Sequence, residues 1–247
     1  MRKVAVIGVK GRMGKAVSKL VTDTSDLELV AGLDIDDEIN AESLKGAEVA
    51  VDFTAPERVE DNVLRVLDAG TDVVVGTSGW DDTAYRHVTE RAEATGRSAL
   101  IVPNFSLSAV FTMWVTAKAA PYFTSIEVIE KHHPRKADAP SGTAAATARG
   151  IAAARAAAAS PAMPDATRID PDHARGAVIE GVHVHAVRAA GLYAHQDVML
   201  SNDGEVLTVS TDTFGTDAYM PGILLAIRTV ADTPGLTIGL EKALNLG

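Results

Sequence analysis

Glu130-Lys131-His132-His133-Pro134-Arg135-Lys136-Ala137-Asp138-Ala139-Pro140-Ser141-Gly142-Thr143 gathers two histidines, three cations and a helix start into fourteen residues. Ser141 is a natural N-cap. The free N–H groups and positive end of the helix behind it, with the Thr143 hydroxyl, suit one carboxylate. Lys136 and His133 suit a second anionic group. His132, whose type titrates at about 6.5, can give or take a proton at neutral pH, and Lys136 is the other candidate for that work. The segment therefore reads as a site for a doubly anionic small molecule with a proton donor or acceptor built in.

A second constellation lies at the N-terminus. Gly8-Val9-Lys10-Gly11-Arg12-Met13-Gly14 follows an apolar strand at 4–7 and opens a helix, the place where a dinucleotide pyrophosphate rests on helix N–H groups. The next strand ends at Leu33-Asp34, where a carboxylate can accept hydrogen bonds from the adenosine ribose hydroxyls. Lys10 and Arg12 pull the other way, since cations beside that pocket suit a 2′-phosphate. Ile35, not arginine, follows Asp34, so NADH is expected with NADPH tolerated. A phosphate-binding P-loop is excluded, because five residues separate Gly8 from Gly14 and Ala16 occupies the magnesium-binding hydroxyl position. None of the four tyrosines has a lysine four residues later, so a Tyr-x-x-x-Lys acid is missing as well.

Asp52-Phe53-Thr54 and Gly76-Thr77-Ser78-Gly79 end two further strands, where ligands of open parallel sheets bind. With no cysteine, and no clear carboxylate partner at ligand spacing for His183, His185 and His195, no metal is expected; His183 and His185 read as sheet residues beside the site.

The elements that must position these groups follow from periodicity. Short β-branched runs at 4–7, 27–32, 49–53, 73–75 and 99–102 alternate with amphipathic stretches at 13–22, 57–68 and 81–94, in which Val59, Val63, Val66 and Leu67 fall on one helical face. This is βαβ grammar and implies a Rossmann-like doubly wound parallel sheet over residues 1–104. From residue 105 to 215 a second, α+β domain with an open mixed or antiparallel sheet is expected: a helix at 108–120, a strand at 126–130, a Pro-containing loop, an alanine-rich helix, then strands at 183–188, 194–200 and 206–211. The last two strands join through Asn202-Asp203-Gly204, a hairpin sequence. Residues 152–159 read as a helix tail, and the Pro- and Asp-rich stretch that follows as an exposed loop.

At 247 residues the chain is long enough for two modest domains with real cores. Its 23 Lys and Arg against 33 Asp and Glu give a net charge of −10, which repels nucleic acid. No apolar run approaches the roughly 18 residues of a membrane span, and Met1-Arg2-Lys3 leads straight into a strand, so a cytoplasmic protein is expected.

On the Gly8 to Gly14 turn, Asp52-Phe53-Thr54, Gly76-Thr77-Ser78-Gly79, Pro103-Asn104-Phe105-Ser106 and above all Glu130-x-His132-His133-x-x-Lys136-x-Asp138-x-Pro140-Ser141-Gly142-Thr143, the sequence resembles the 4-hydroxy-tetrahydrodipicolinate (dihydrodipicolinate) reductases of lysine and diaminopimelate biosynthesis. The resemblance runs through nearly the whole chain, to Pro221-Gly222 and Gly239-Leu240-Glu241. It implies His132 as proton donor or acceptor and Lys136 as proton donor, with His133, Ser141, Gly142 and Thr143 gripping the carboxylates. It also implies nucleotide contacts from Gly8, Val9, Lys10, Gly11, Arg12 and Met13, from Asp34 and Phe53, from Gly76, Thr77 and Ser78, and from Val102, Pro103, Asn104 and Phe105. A homotetramer and a C-terminal segment, 216–247, returning to the nucleotide domain are further implications. Ser78 stands where these reductases usually carry Thr, and the alanine tract matches none of their motifs. A reductase of another dicarboxylate and a non-enzymatic NAD(H) sensor share the glycine turn; only the sensor can dispense with His132 and Lys136.

Overall fold

The computed structural model describes residues 1–246. In chain order the elements begin β1 (Arg2–Ile7), α1 (Arg12–Asp23), β2 (Leu27–Leu33), β3 (Val49–Asp52), α2 (Pro56–Asp68), β4 (Asp72–Val75), α3 (Asp82–Thr95) and β5 (Ser98–Ile101). They continue with α4 (Leu107–Ala119), β6 (Ser125–His132), α5 (Gly142–Ala157), β7 (Ala177–Ile179), β8 (Val182–Arg188), β9 (Ala194–Asn202) and β10 (Glu205–Thr213), and finish with α6 (Met220–Thr229) and β11 (Gly235–Ile238). Two compact units result: residues 1–105 with the stretch from Tyr219 onward, and residues 106–218.

The first unit holds a parallel six-stranded sheet in the order β2-β1-β3-β4-β5-β11. Its inner strands are apolar on both faces because helices cover both: every residue of β3, β4 and β5 is buried. In α2 the residues Val59, Val63, Val66 and Leu67 are all at most 1% exposed, and each such side chain contributes about 1.5–3 kcal/mol relative to exposure. The sheet order reverses between β1 and β3, which opens a crevice at the carboxyl ends of those strands. Strand β11 was not legible in the sequence, since a four-residue run opening on glycine offers no periodicity.

The second unit is built on a five-stranded sheet, β10-β9-β6-β8-β7. The sheet is mixed: β6 and β8 are parallel, the other pairs antiparallel. A helical crossover explains it, because α5 lies between β6 and β8 and a crossover returns the chain in the same direction. Ala144, Ala148 and Ile151 of α5 pack on Ile126, Val128, Val184 and Val198; the small alanines let the helix approach closely. Side chains alternate across a strand, so the opposite face carries Val178, Val187, Met199 and Val206, between 38% and 60% exposed.

The alanine-rich end of α5 holds one structural surprise. Arg155 is buried at 7% exposure and donates to the carbonyls of Ala120, Phe123 and Pro161 at 3.0, 2.5 and 2.7 Å. Among the described residues no helix is long and apolar enough to cross a membrane.

Candidate active site

In the first unit the turn after β1 is closed by Gly8 N and Val9 N donating to the Leu33 carbonyl at 2.8 and 3.1 Å. Glycine is required at two of its positions. Gly8 has φ +84°, and a Cβ there would stand 2.5 Å from the Phe53 carbonyl oxygen; a Cβ at Gly14 would run into the Gly8 carbonyl. Gly11 caps α1 with no side chain across the first-turn N–H groups, which leaves an anion cradle of the kind a pyrophosphate needs. Asp34 sits beside it, its carboxylate accepting from Lys10 N at 2.7 Å and Ile35 N at 2.9 Å. Those backbone hydrogen bonds, Ile35 first, hold its pKa below the ordinary value. A cavity of about 410 Å³ runs from Gly8 and Gly11 past Asp34, Ile39, Phe53 and Asn62. These residues fit a dinucleotide. A larger cavity, about 500 Å³, lies at the strand N-termini between Arg2, Gly46, Gly70 and Arg97, the end of a parallel sheet where ligands do not bind.

The ends of β3 and β4 are tied together by one buried acid. Asp52 is 0% exposed and accepts from Thr54 Oγ1 (2.7 Å), Thr77 Oγ1 (2.9 Å), Thr54 N (3.0 Å) and Asn62 Nδ2 (3.0 Å). Burial raises its pKa in spite of these donors. The next residue, Phe53, fills the space a side chain at Gly76 would need and meets the Phe105 ring at 5.6 Å between centroids. Val102 N bonds the Val75 carbonyl at 2.8 Å, so Val102 to Phe105 are held on the same edge of the unit as Thr77 and Ser78.

In the second unit β6 runs on to His132, two residues beyond the expected strand end, and this places the histidine on a sheet rather than a loop. Glu130, His132 and Arg188 share the face that α5 covers, since His132 pairs with Arg188 in register. Glu130 is 0% exposed. Its Oε2 meets His132 Nδ1 at 2.6 Å and Arg188 at 2.7 Å, and its Oε1 accepts from the other Arg188 nitrogen at 2.7 Å and from Ser141 N at 3.1 Å. Burial alone would raise the Glu130 carboxyl; hydrogen bonds from Arg188 and His132 outweigh it and leave its pKa lowered. Burial also dominates at His132, where it and the charges of Lys136 and Arg188 prevail over Glu130 and drop the imidazole below its ordinary value. At neutral pH the ring is therefore mainly neutral.

The rest of the segment closes around this corner. Ser141 caps α5 by accepting from Ala144 N at 3.2 Å, and Lys136 Nζ donates to Asp138 Oδ1 at 2.7 Å. A Cβ at Gly142 would meet nothing within 4 Å, so that side of the first turn of α5 is open, while the Gly142 N–H faces the exposed Asp138 carboxylate. Thr143 is the second residue of that turn, and its carbonyl accepts from Thr147 Oγ1 at 2.9 Å. His133 Nδ1 is buried without a hydrogen-bond partner, a nitrogen prepared for an anion or a donor.

The three strand histidines are not beside this corner. His183, His185 and His195 alternate onto the opposite face of the sheet from His132 and Glu130. There His183 meets Asp165 at 3.1 Å, His185 meets Glu127 at 2.6 Å and His195 meets Asp212 at 2.7 Å. No cluster among the described residues has the makings of a metal site. Sequence reasoning also left Arg188 unassigned and gave Glu130 no role; a strand register that sets residue 132 against 188 was the missing signal.

A doubly wound sheet with a bare glycine cradle and an acidic second-strand end, in one chain with a cationic helix start bearing an acid and a base, defines a pyridine-nucleotide-dependent oxidoreductase. The family profile for the dihydrodipicolinate reductase N-terminus matches residues 2–105, and that for its C-terminus residues 108–244. The chain belongs to the dihydrodipicolinate reductase family. It is 56% identical over 246 residues to the 4-hydroxy-tetrahydrodipicolinate reductase of Beutenbergia cavernae, covering 99% of both chains. It is 50% identical to that of Streptomyces coelicolor, covering 99% of this chain and 98% of the relative. The solved structure of a dipicolinate-bound dihydrodipicolinate reductase from Paenisporosarcina sp. TG-14 superposes with a TM-score of 0.88 at 32% identity, over 98% of this chain and 99% of the other.

Proposed function

We propose that this chain reduces 4-hydroxy-tetrahydrodipicolinate to tetrahydrodipicolinate with loss of water, in lysine and diaminopimelate biosynthesis. The observation that carries the reading is the corner where the end of β6 meets the start of α5: one buried carboxylate joins His132 to the capping residue Ser141, with Lys136 on the loop between them. A planar ring with two carboxylates matches it, and the 32%-identical relative holds dipicolinate, a molecule of that shape.

The α5 N-terminus with Ser141, Gly142 and Thr143 binds one carboxylate; His133 and Lys136 bind the other. The reduced nicotinamide supplies a hydride, taken up at ring carbon C4. Lys136, whose ammonium is already a donor, gives the proton that completes the reduction, and neutral His132 can take at Nε2 the ring proton that leaves with the 4-hydroxyl as water. Residues 1–104 with 216–247 bind the nucleotide through Gly8 to Met13, Asp34, Phe53, Gly76 to Ser78 and Val102 to Phe105; residues 105–215 bind substrate and form the assembly contacts. NADH is preferred, because Asp34, Asp37 and Glu38 line the ribose end of the cavity and repel a 2′-phosphate. NADPH is tolerated through Lys10 and Arg12. The exposed Val178, Val187, Met199 and Val206, set among the ion pairs on the face of the second sheet away from α5, support a homotetramer, and the enzyme acts in the cytoplasm.

Initial rates with NADH and NADPH on aspartate semialdehyde and pyruvate condensed in situ test the reading. NADH oxidation is expected. No oxidation of either nucleotide, with no binding of pyridine-2,6-dicarboxylate, overturns it.

A further inference from the structure

Glu130 is completely buried, so it touches no ligand, and every hydrogen bond it makes is internal. Arg188 grips both of its oxygens in a fork, the arrangement that keeps a carboxylate ionised and fixed in its plane. An ionised carboxylate only accepts. The 2.6 Å contact to His132 therefore requires the imidazole proton on Nδ1, and the lone pair of the neutral ring falls to Nε2. Arg188 is held in turn by the Asp138 carbonyl at 2.8 Å, on the loop that carries Lys136.

We propose that Glu130 is a positioning residue: one carboxylate fixes the His132 tautomer through Oε2 and the Ser141 N–H through Oε1, locking proton acceptor and carboxylate cradle into one rigid piece, with Arg188 as the clamp. The proposal rests on the reductase reading for its effect on rate, but not for the tautomer itself. A neutral amide at position 130 offers N–H as readily as C=O, so it no longer dictates which ring nitrogen carries the proton.

The test is nitrogen-15 NMR of histidine-labelled full-length protein, free of substrate, with kcat and KM measured alongside. The expected wild-type spectrum shows His132 protonated at Nδ1. Glu130→Gln shifts the ring toward the other tautomer and lowers kcat about 10²-fold or more, on the scale seen when a base is mis-set. Glu130→Asp keeps the charge, the Nδ1 proton and most of that lost rate. A wild-type ring protonated at Nε2 overturns the proposal, as does a Glu130→Gln enzyme with unchanged tautomer and kcat. Should Glu130→Gln not fold, the wild-type spectrum and Glu130→Asp still decide. Wild-type protein with the Nδ1 proton but no turnover refutes the reductase reading alone.

Discussion

Lys136 Nζ and Asp138 Oδ1 stand 2.7 Å apart on the loop leading from β6 into α5. The Asp138 side chain is 56% exposed, so water competes for the pair and a substrate carboxylate can displace it at little cost. Lys136→Ala is expected to lower turnover about 10²–10⁴-fold, the range for a missing acid. Asp138→Asn is expected to change it less than about tenfold, because an exposed pair is worth under about 1 kcal/mol. Steady-state rates of NADH oxidation in both variants check this; equal losses would mean that Asp138 does more than hold the ammonium between turnovers.

The nucleotide cradle makes a packing prediction. Gly14→Ala forces a methyl group against the Gly8 carbonyl, an overpacking that costs roughly 1–3 kcal/mol of stability and displaces the first turn of α1. Nucleotide titration by fluorescence should show dinucleotide affinity falling at least tenfold, together with a lower Tm. Wild-type values of both would remove this turn from the binding site.

Cofactor choice is expected to hinge on the residue after Asp34. Ile35 is 61% exposed and lines the cavity, so an arginine there meets no packing conflict and can reach a 2′-phosphate. A charge-assisted contact contributes about 1.5–3 kcal/mol, so Ile35→Arg should raise the NADPH to NADH ratio of kcat/KM by roughly tenfold or more. An unmoved ratio would place the ribose elsewhere.

Stability should decline on acidification, in two stages. Above pH 6.5, the ordinary imidazole value, folded and unfolded His132 are alike neutral; below it the unfolded ring takes a proton that the folded one, its pKa lowered chiefly by burial, resists. Glu130 acts likewise further down: below the ordinary 4.5 the unfolded carboxyl protonates while the folded one, held by Arg188 and His132, stays ionised. Both contributions are present above those values and vanish as pH falls through the folded ones. Thermal melts of His132→Asn should show a shallower fall in Tm between pH 7 and 5 than wild type, and no difference in slope between pH 8 and 9.

The exposed apolar residues on the sheet face away from α5, set among its ion pairs, predict an assembly contact. A second acid beside Glu127, with which Met199 pairs in register, as in Met199→Asp, should reduce the species seen by sedimentation while nucleotide affinity is retained. A variant that sediments as wild type would locate the contact elsewhere.

Most of the architecture could be read from periodicity, because a strand buried on both faces has no choice but to be uniformly apolar, as in Val49 to Val51, and a helix lying on a sheet must repeat as Val59 and Val63 do. The glycine turn and the Ser141 cap were legible for a similar reason: each is a backbone requirement written in a single residue type. What escaped depended on pairing between distant strands. Arg188 acquires meaning only from its register with His132, and the strand histidines were misplaced because alternation says which residues share a face but not which face receives α5. The parallel β6 and β8 pair likewise follows from where the chain returns after its crossover.

Arg155 has an implication for how the gene can drift. A stretch of near-identical alanines carries no landmarks of its own, so single replacements within it are readily tolerated. Gaining or losing one alanine ahead of position 155 turns everything beyond it by about 100° around the helix axis and swings the guanidinium away from its three carbonyls. The composition of the tract is loosely constrained; its residue count is not.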